Sequence, residues 1–257
     1  MGIAKSGIAS SLGNQSPNVE VDRTDQRSFH RTDRNSADRR PERAALAVAG
    51  WRKLGCPTQN PIVWPQNGWI EDFPEFDDLL AALPNPLGRE DVRACVSSLP
   101  RGEEGAVAAF VACMAWGYGR TGYGRSRTRK VLESNSQVAG HLDEARMAAC
   151  SGGLEGALNS YSYLAGPGRM RGLGPAFGTK FTHFHNREAL ILDRLTADWF
   201  REACGIDLRP TEWCPSAYRE YLAYMGEWAE TLGVRPHQLE EIAFTEMSRR
   251  RGNQWAE

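Results

Sequence analysis

The chain is short of everything that makes a β-sheet legible. Alternation of apolar and polar residues is nearly absent from its 257 positions; ALIL at 189–192 is the best strand candidate, and it is brief. No apolar run approaches the roughly 18 residues that suggest a membrane span, so no membrane partner is expected. The opening MGIAKSGIASSLGNQS has one lysine and no apolar stretch of useful length, and does not read as a secretory leader. No internal repeat is found. The six cysteines (Cys56, Cys95, Cys113, Cys150, Cys204, Cys214) never occur as C-x-x-C. A zinc or iron–sulfur centre needs ligands at short spacing, so neither metal nor cofactor is expected. Most of the cysteines sit in apolar surroundings and read as small core residues, in a protein kept in a reducing cytoplasm. An excess of charge is missing too: 31 Lys and Arg face 32 Asp and Glu. That excludes a coat for nucleic acid over the whole surface and leaves room for a local basic groove.

What is present is helical. Residues 1–42 are rich in Ser, Asn, Asp, Gln and Arg without apolar periodicity, and are expected to be a disordered tail. From 43 to 257 the pattern predicts one all-α domain of nine or ten helices joined by Pro/Gly turns. PERAALAVAGWRKLG begins it, with proline at a helix start and Gly55 past its end. Residues 56–72, with two tryptophans among prolines and turn residues, read as an irregular loop.

GYGRTGYGRSRTRK (117–130) has the most unusual composition. Arg120, Arg125, Arg127, Arg129 and Lys130 occur without an acid, interleaved with glycine and tyrosine. Such a mixture suits close approach to phosphates and stacking on bases, although a solvated basic loop would look the same. Its piece GRTGYGRS nearly spells a P-loop, but Arg125 replaces the lysine and a helix, not a strand, precedes it. A nucleotide site is therefore not expected.

RGLGPAFGTKFTHF (171–184) poses the sharper question. Gly172-Leu173-Gly174-Pro175 fits the tight turn of a helix–hairpin–helix, whose backbone N–H groups face a DNA phosphate. Lys180 then falls in the second turn of the next helix, beside Phe177, Phe181 and Phe184. A lysine there can snorkel to water. Partly buried, its amine loses proton affinity and becomes a nucleophile. Asp193 follows ALIL at the start of RLTADWFREACG, where an N-cap is a complete structural role. The same N–H bonds keep its carboxylate ionised, as a cationic sugar transition state requires.

GLGPAFGTKF (172–181) and ALILDRLTADW (189–199) together resemble the helix–hairpin–helix DNA glycosylases, and within them the bacterial proteins of the 8-oxoguanine DNA glycosylase (OGG) fold. WGYGRTGYGRSRTRK and IAFTEM (242–247) add to the likeness. The resemblance implies a two-lobed, all-α, monomeric base-excision enzyme of the bacterial cytoplasm, working at the nucleoid on double-stranded DNA with a modified base. Its active site would lie between the lobes, and it would need no cofactor. Lys180 would match the family's nucleophile, Asp193 its essential carboxylate, and Gly172 and Gly174 its DNA-clamping hairpin. In the better-known members the lysine follows the second hairpin glycine by two residues, where this chain has Ala176; Lys180 stands one helical turn further along the same face. Trp116, Tyr118 and Trp199 are candidates to stack on a flipped base. The resemblance favours 8-oxoguanine as substrate, while phage-defence relatives of the fold remove bulky modified cytosines. Schiff-base lyase activity would accompany attack by Lys180. His183 and His185 read as packing or phosphate contacts. A non-catalytic helix–hairpin–helix DNA-binding module would use the same glycines and arginines without needing Lys180 or Asp193. A helical protein–protein adaptor would make no use of 117–130.

Overall fold

Apolar residues recurring every three or four positions, punctuated by proline and glycine, become twelve α-helices among the described residues. These are residues 42–252 of a computed structural model, apart from 135, 207 and 209–211. In chain order the helices are α1 (Glu42–Lys53), α2 (Gln66–Asp72), α3 (Asp77–Ala82), α4 (Arg89–Ser98), α5 (Glu103–Tyr118), α6 (Tyr123–Leu132), α7 (Val138–Cys150), α8 (Gly153–Ala165), α9 (Pro175–His185), α10 (Arg194–Cys204), α11 (Pro215–Leu232) and α12 (Pro236–Arg250). Proline at the first helical position starts α9, α11 and α12, where its missing N–H would have had no intrahelical partner. Glycines in the left-handed conformation, Gly205 and Gly233, end α10 and α11. The expected tail falls outside the described residues except for Glu42, the first residue of α1.

Two apolar clusters organise these helices. The first is built around α5, which is apolar on every side and buried from Ala108 to Trp116; Trp69, Phe73, Phe181 and Phe184 pack with it. The second joins α1, α10, α11 and α12 through Val48, Trp199, Phe200, Tyr218, Tyr221, Leu239 and Phe244. Helix α8 links them, with Leu164 in the first cluster and Leu158 and Tyr161 in the second, while α9 joins the first through Phe181 and Phe184. All six cysteines are free thiols, and no helix among the described residues is long and apolar enough to cross a membrane.

Three segments differ from the expectation. Residues 56–72 are irregular only to Pro65, after which α2 forms. Its Gly68 sits directly under Arg125, where a Cβ would meet Nη1. The basic stretch is helical from Tyr123 onward, so Arg125, Arg127, Arg129 and Lys130 project from α6, while Arg120 stays in the turn before it. ALIL is extended and buried but lies in no strand. Side chains serve its backbone instead. Tyr218 and Tyr221 hydroxyls donate to the carbonyls of Leu190 (2.8 Å) and Ile191 (3.1 Å), and the Leu192 N–H donates to Thr179 Oγ1 (3.1 Å).

Candidate active site

The site is assembled where α9 passes the extended segment before α10. Gly172 takes a left-handed φ of 93°, a conformation that costs any residue with a Cβ, and its carbonyl accepts a 2.7 Å bond from Arg127 Nε. Gly174 caps α9, Pro175 opens it, and Ala176, Phe177 and Lys180 lie on one face, lining a shared cavity of about 300 Å³. Thus Lys180 faces the same cavity as Ala176, the position one turn earlier.

Lys180 is buried (6 % exposed), and its Nζ donates to Asp193 Oδ2 at 3.0 Å. The ammonium also stands 5.3 Å from the centroid of Phe177, whose ring stacks on Tyr118 at 4.3 Å. Helix α5 comes this close because residue 117 is glycine. A Cβ there would lie 2.7 Å from the Phe177 ring and 3.2 Å from Lys180 Cδ.

Asp193 is held as firmly. It is the N-cap of α10, with Oδ1 accepting from the backbone N–H groups of Leu195 (2.9 Å) and Thr196 (3.1 Å). Its own N–H donates to Thr196 Oγ1 at 2.9 Å. Burial alone would raise the carboxyl pKa, but the Lys180 charge and these N–H donors outweigh it, and the group titrates below its ordinary value. Asp193 is therefore an anion at neutral pH.

His183 fixes the register between the two partners. Its Nδ1 meets the Ala189 carbonyl at 2.6 Å and its Nε2 meets Arg93 Nη2 at 2.9 Å. Because arginine only donates, Nε2 accepts and the proton resides on Nδ1. Burial and the neighbouring arginines Arg89 and Arg93 push the His183 pKa well below its usual value, so the ring is neutral. His183 packs and positions, and stands outside the cavity lining.

Of the base-stacking candidates, Trp116 and Tyr118 line the cavity. Trp199 does not: it is fully buried in the second cluster, and its indole N–H donates to Glu246 Oε2 at 2.8 Å. The predicted DNA contacts also divide. Arg125 binds the Gly68 carbonyl (2.7 Å) and Asp72 (3.1 Å), and Arg129 covers the Phe73 ring at 4.6 Å, so both brace α2 and its C-terminal turn. Arg127 braces the Gly172 turn, while Arg120 and Lys130 occupy exposed positions.

A protein-family profile described as "Putative 8-oxoguanine DNA glycosylase OGG-like protein" matches residues 55–244. The chain belongs to this OGG-like family. No curated protein and no solved structure matches it. The OGG-like span includes the Gly172 turn, Lys180 and Asp193, and ends at Phe244, which lines the cavity from α12. It also includes Arg89, a cavity residue the sequence did not reveal. Read along the chain, Arg89 is an ordinary charge in the first turn of a helix. Its carboxylate partner Glu240 lies 151 positions away, and no local pattern joins them. A larger groove of about 550 Å³ between α1 and α12 contains none of the residues predicted to act.

Proposed function

We propose that this OGG-like protein is a DNA N-glycosylase that extrudes a modified base from the duplex and cuts its glycosidic bond between Lys180 and Asp193. The observation that carries the reading is the 3.0 Å contact of a buried amine with a partly buried, N-capped carboxylate in the wall of one cavity. A base inside a duplex cannot be reached, so it enters the cavity by flipping, and the Tyr118 ring, only partly buried, offers it a stacking surface. The Gly172–Gly174 turn and the N-terminus of α9 grip a phosphate beside it.

As the bond from C1′ to the base nitrogen breaks, its electron pair leaves with the base and positive charge grows on the sugar. Asp193, already ionised and fixed by two N–H donors, stabilises that charge without reorganising. Lys180 gives a proton to the departing base, and its neutral Nζ bonds to C1′. The C1′–O4′ bond then breaks as one Nζ proton passes to O4′, opening the ring to a protonated Schiff base, the intermediate from which strand cleavage proceeds.

The base is an oxidised guanine, which the family description favours, or a bulky modified cytosine of phage DNA. Mass spectrometry of bases released from a panel of duplexes, each with one altered base, and from modified phage DNA identifies it. The reading predicts release of a free base and an abasic site. Salt-dependent DNA binding with no release from any substrate would leave a DNA-binding module and overturn the enzyme.

A further inference from the structure

Arg89 opens α4 and lines the same cavity as Lys180 and Asp193. Three of the five guanidinium N–H bonds are committed. Nε donates to Gln59 Oε1 at 2.6 Å, and Nη1 and Nη2 donate to the two oxygens of Glu240 at 2.5 and 3.1 Å. Glu240 is wholly buried and is not part of the cavity lining, so it fixes the fork from behind. The guanidinium carbon lies 5.4 Å from the Trp116 centroid and 5.9 Å from that of Phe244, both cavity residues. One N–H bond on each terminal nitrogen is left over from Glu240 and Gln59. A buried ion pair is seldom the most stable filling of a core, since apolar residues of similar volume often do as well or better. Its position beside the reacting groups is better explained by recognition.

The charge of the lining points the same way. Arg89, Lys180 and Arg194 are cationic, and Asp193 is the one anionic lining residue among them. We propose that Arg89 selects the base: it donates to a carbonyl oxygen on a neutral extruded base and turns away cationic N-alkylated purines. A charge-assisted N–H···O bond rewards the first, and like charges meeting in a desolvated wall penalise the second. This inference rests on the glycosylase reading above.

The test compares native protein with the double variant Arg89→Met/Glu240→Leu, which removes both buried charges together. Excision is measured on duplexes carrying 8-oxoguanine, glucosylated 5-hydroxymethylcytosine or 7-methylguanine, which retains a carbonyl but adds a positive charge. Binding is measured on a duplex carrying a tetrahydrofuran abasic analogue, which places no base in the cavity. Native protein is expected to excise one of the first two bases and to leave 7-methylguanine in place. The double variant should bind the abasic analogue within about threefold of native while excising roughly a hundredfold more slowly, the loss typical of a site deprived of a specific polar contact. Should that variant fail to fold, Arg89→Lys keeps a charge opposite Glu240 without the planar fork, and the same split is expected of it. Removal of 7-methylguanine by native protein, unchanged excision by a folded variant, or equal losses in excision and abasic binding would each overturn the role of Arg89 and leave the glycosylase standing. No release by native protein from any duplex would overturn both.

Discussion

At the scale of single residues, one carboxylate has two duties. Asp193 caps α10 and faces Lys180, so its replacement must separate the two roles. Asparagine does so, because it is as good an N-cap as aspartate but carries no charge. Asp193→Asn is expected to keep the fold and DNA binding while excision falls by at least about a hundredfold, the scale of losing a preorganised electrostatic group. Thermal melting, DNA titration and base release measure the three parts. If excision persists, Asp193 is only a cap. The pair was visible in the sequence as two residues in suggestive surroundings. Their contact was not, since thirteen positions separate them and the chain must turn back between His185 and Asp193.

At the scale of elements, the site depends on how closely α5 and the Gly172 turn approach α9. Gly117→Ala puts a methyl 2.7 Å from the Phe177 ring and close to the stem of Lys180. The expected cost is about 1–3 kcal/mol of stability from overpacking, with excision lowered at least about tenfold as the amine is displaced. A melt and a single-turnover excision assay read these two effects. Gly172→Ala forces a Cβ into a φ of 93° and to 3.3 Å from Val131. Roughly 1–2 kcal/mol of destabilisation is expected, together with weaker DNA binding. Unchanged affinity in a folded Gly172→Ala protein would remove this turn from the interface.

Most helices were legible at this scale because period, proline starts and glycine ends agree. The failures have particular causes. Helix α2 is short and interrupted by Gly68, which reads as a turn residue although it serves the packing of Arg125. Helix α6 is rich in basic residues, so its apolar face is reduced to a few residues such as Val131. ALIL reads as a strand because it is a short apolar run. The tyrosines and threonine that satisfy its backbone come from distant positions on α9 and α11. Residue type alone groups Trp199 with the stacking candidates, and packing in the second cluster takes it out of the cavity.

At the scale of the whole molecule, the buried histidines make stability depend on pH. Burial lowers the pKa of His183 well below normal and that of His185 to about 3. An unfolded histidine titrates near 6.5, so below that pH the unfolded chain binds protons that the folded one refuses. The contribution is complete above about pH 6.5 and shrinks as pH falls, for His185 until about pH 3. Asp193 adds a loss of the same sign, confined to pH below about 4, where its unfolded form takes up a proton first. Denaturant titrations should show stability dropping by roughly 2–4 kcal/mol between pH 7 and pH 5. His185→Phe, which keeps the ring against Phe181, should flatten part of that slope; an unchanged slope would assign it elsewhere.

The most direct test of the central claim is borohydride trapping on the duplex whose altered base the protein releases, followed by peptide mapping of the adduct. One covalent protein–DNA product is expected, attached at Lys180 and absent from Lys180→Gln, which should also lose excision. An adduct at another amine, or undiminished excision by Lys180→Gln, would contradict that claim.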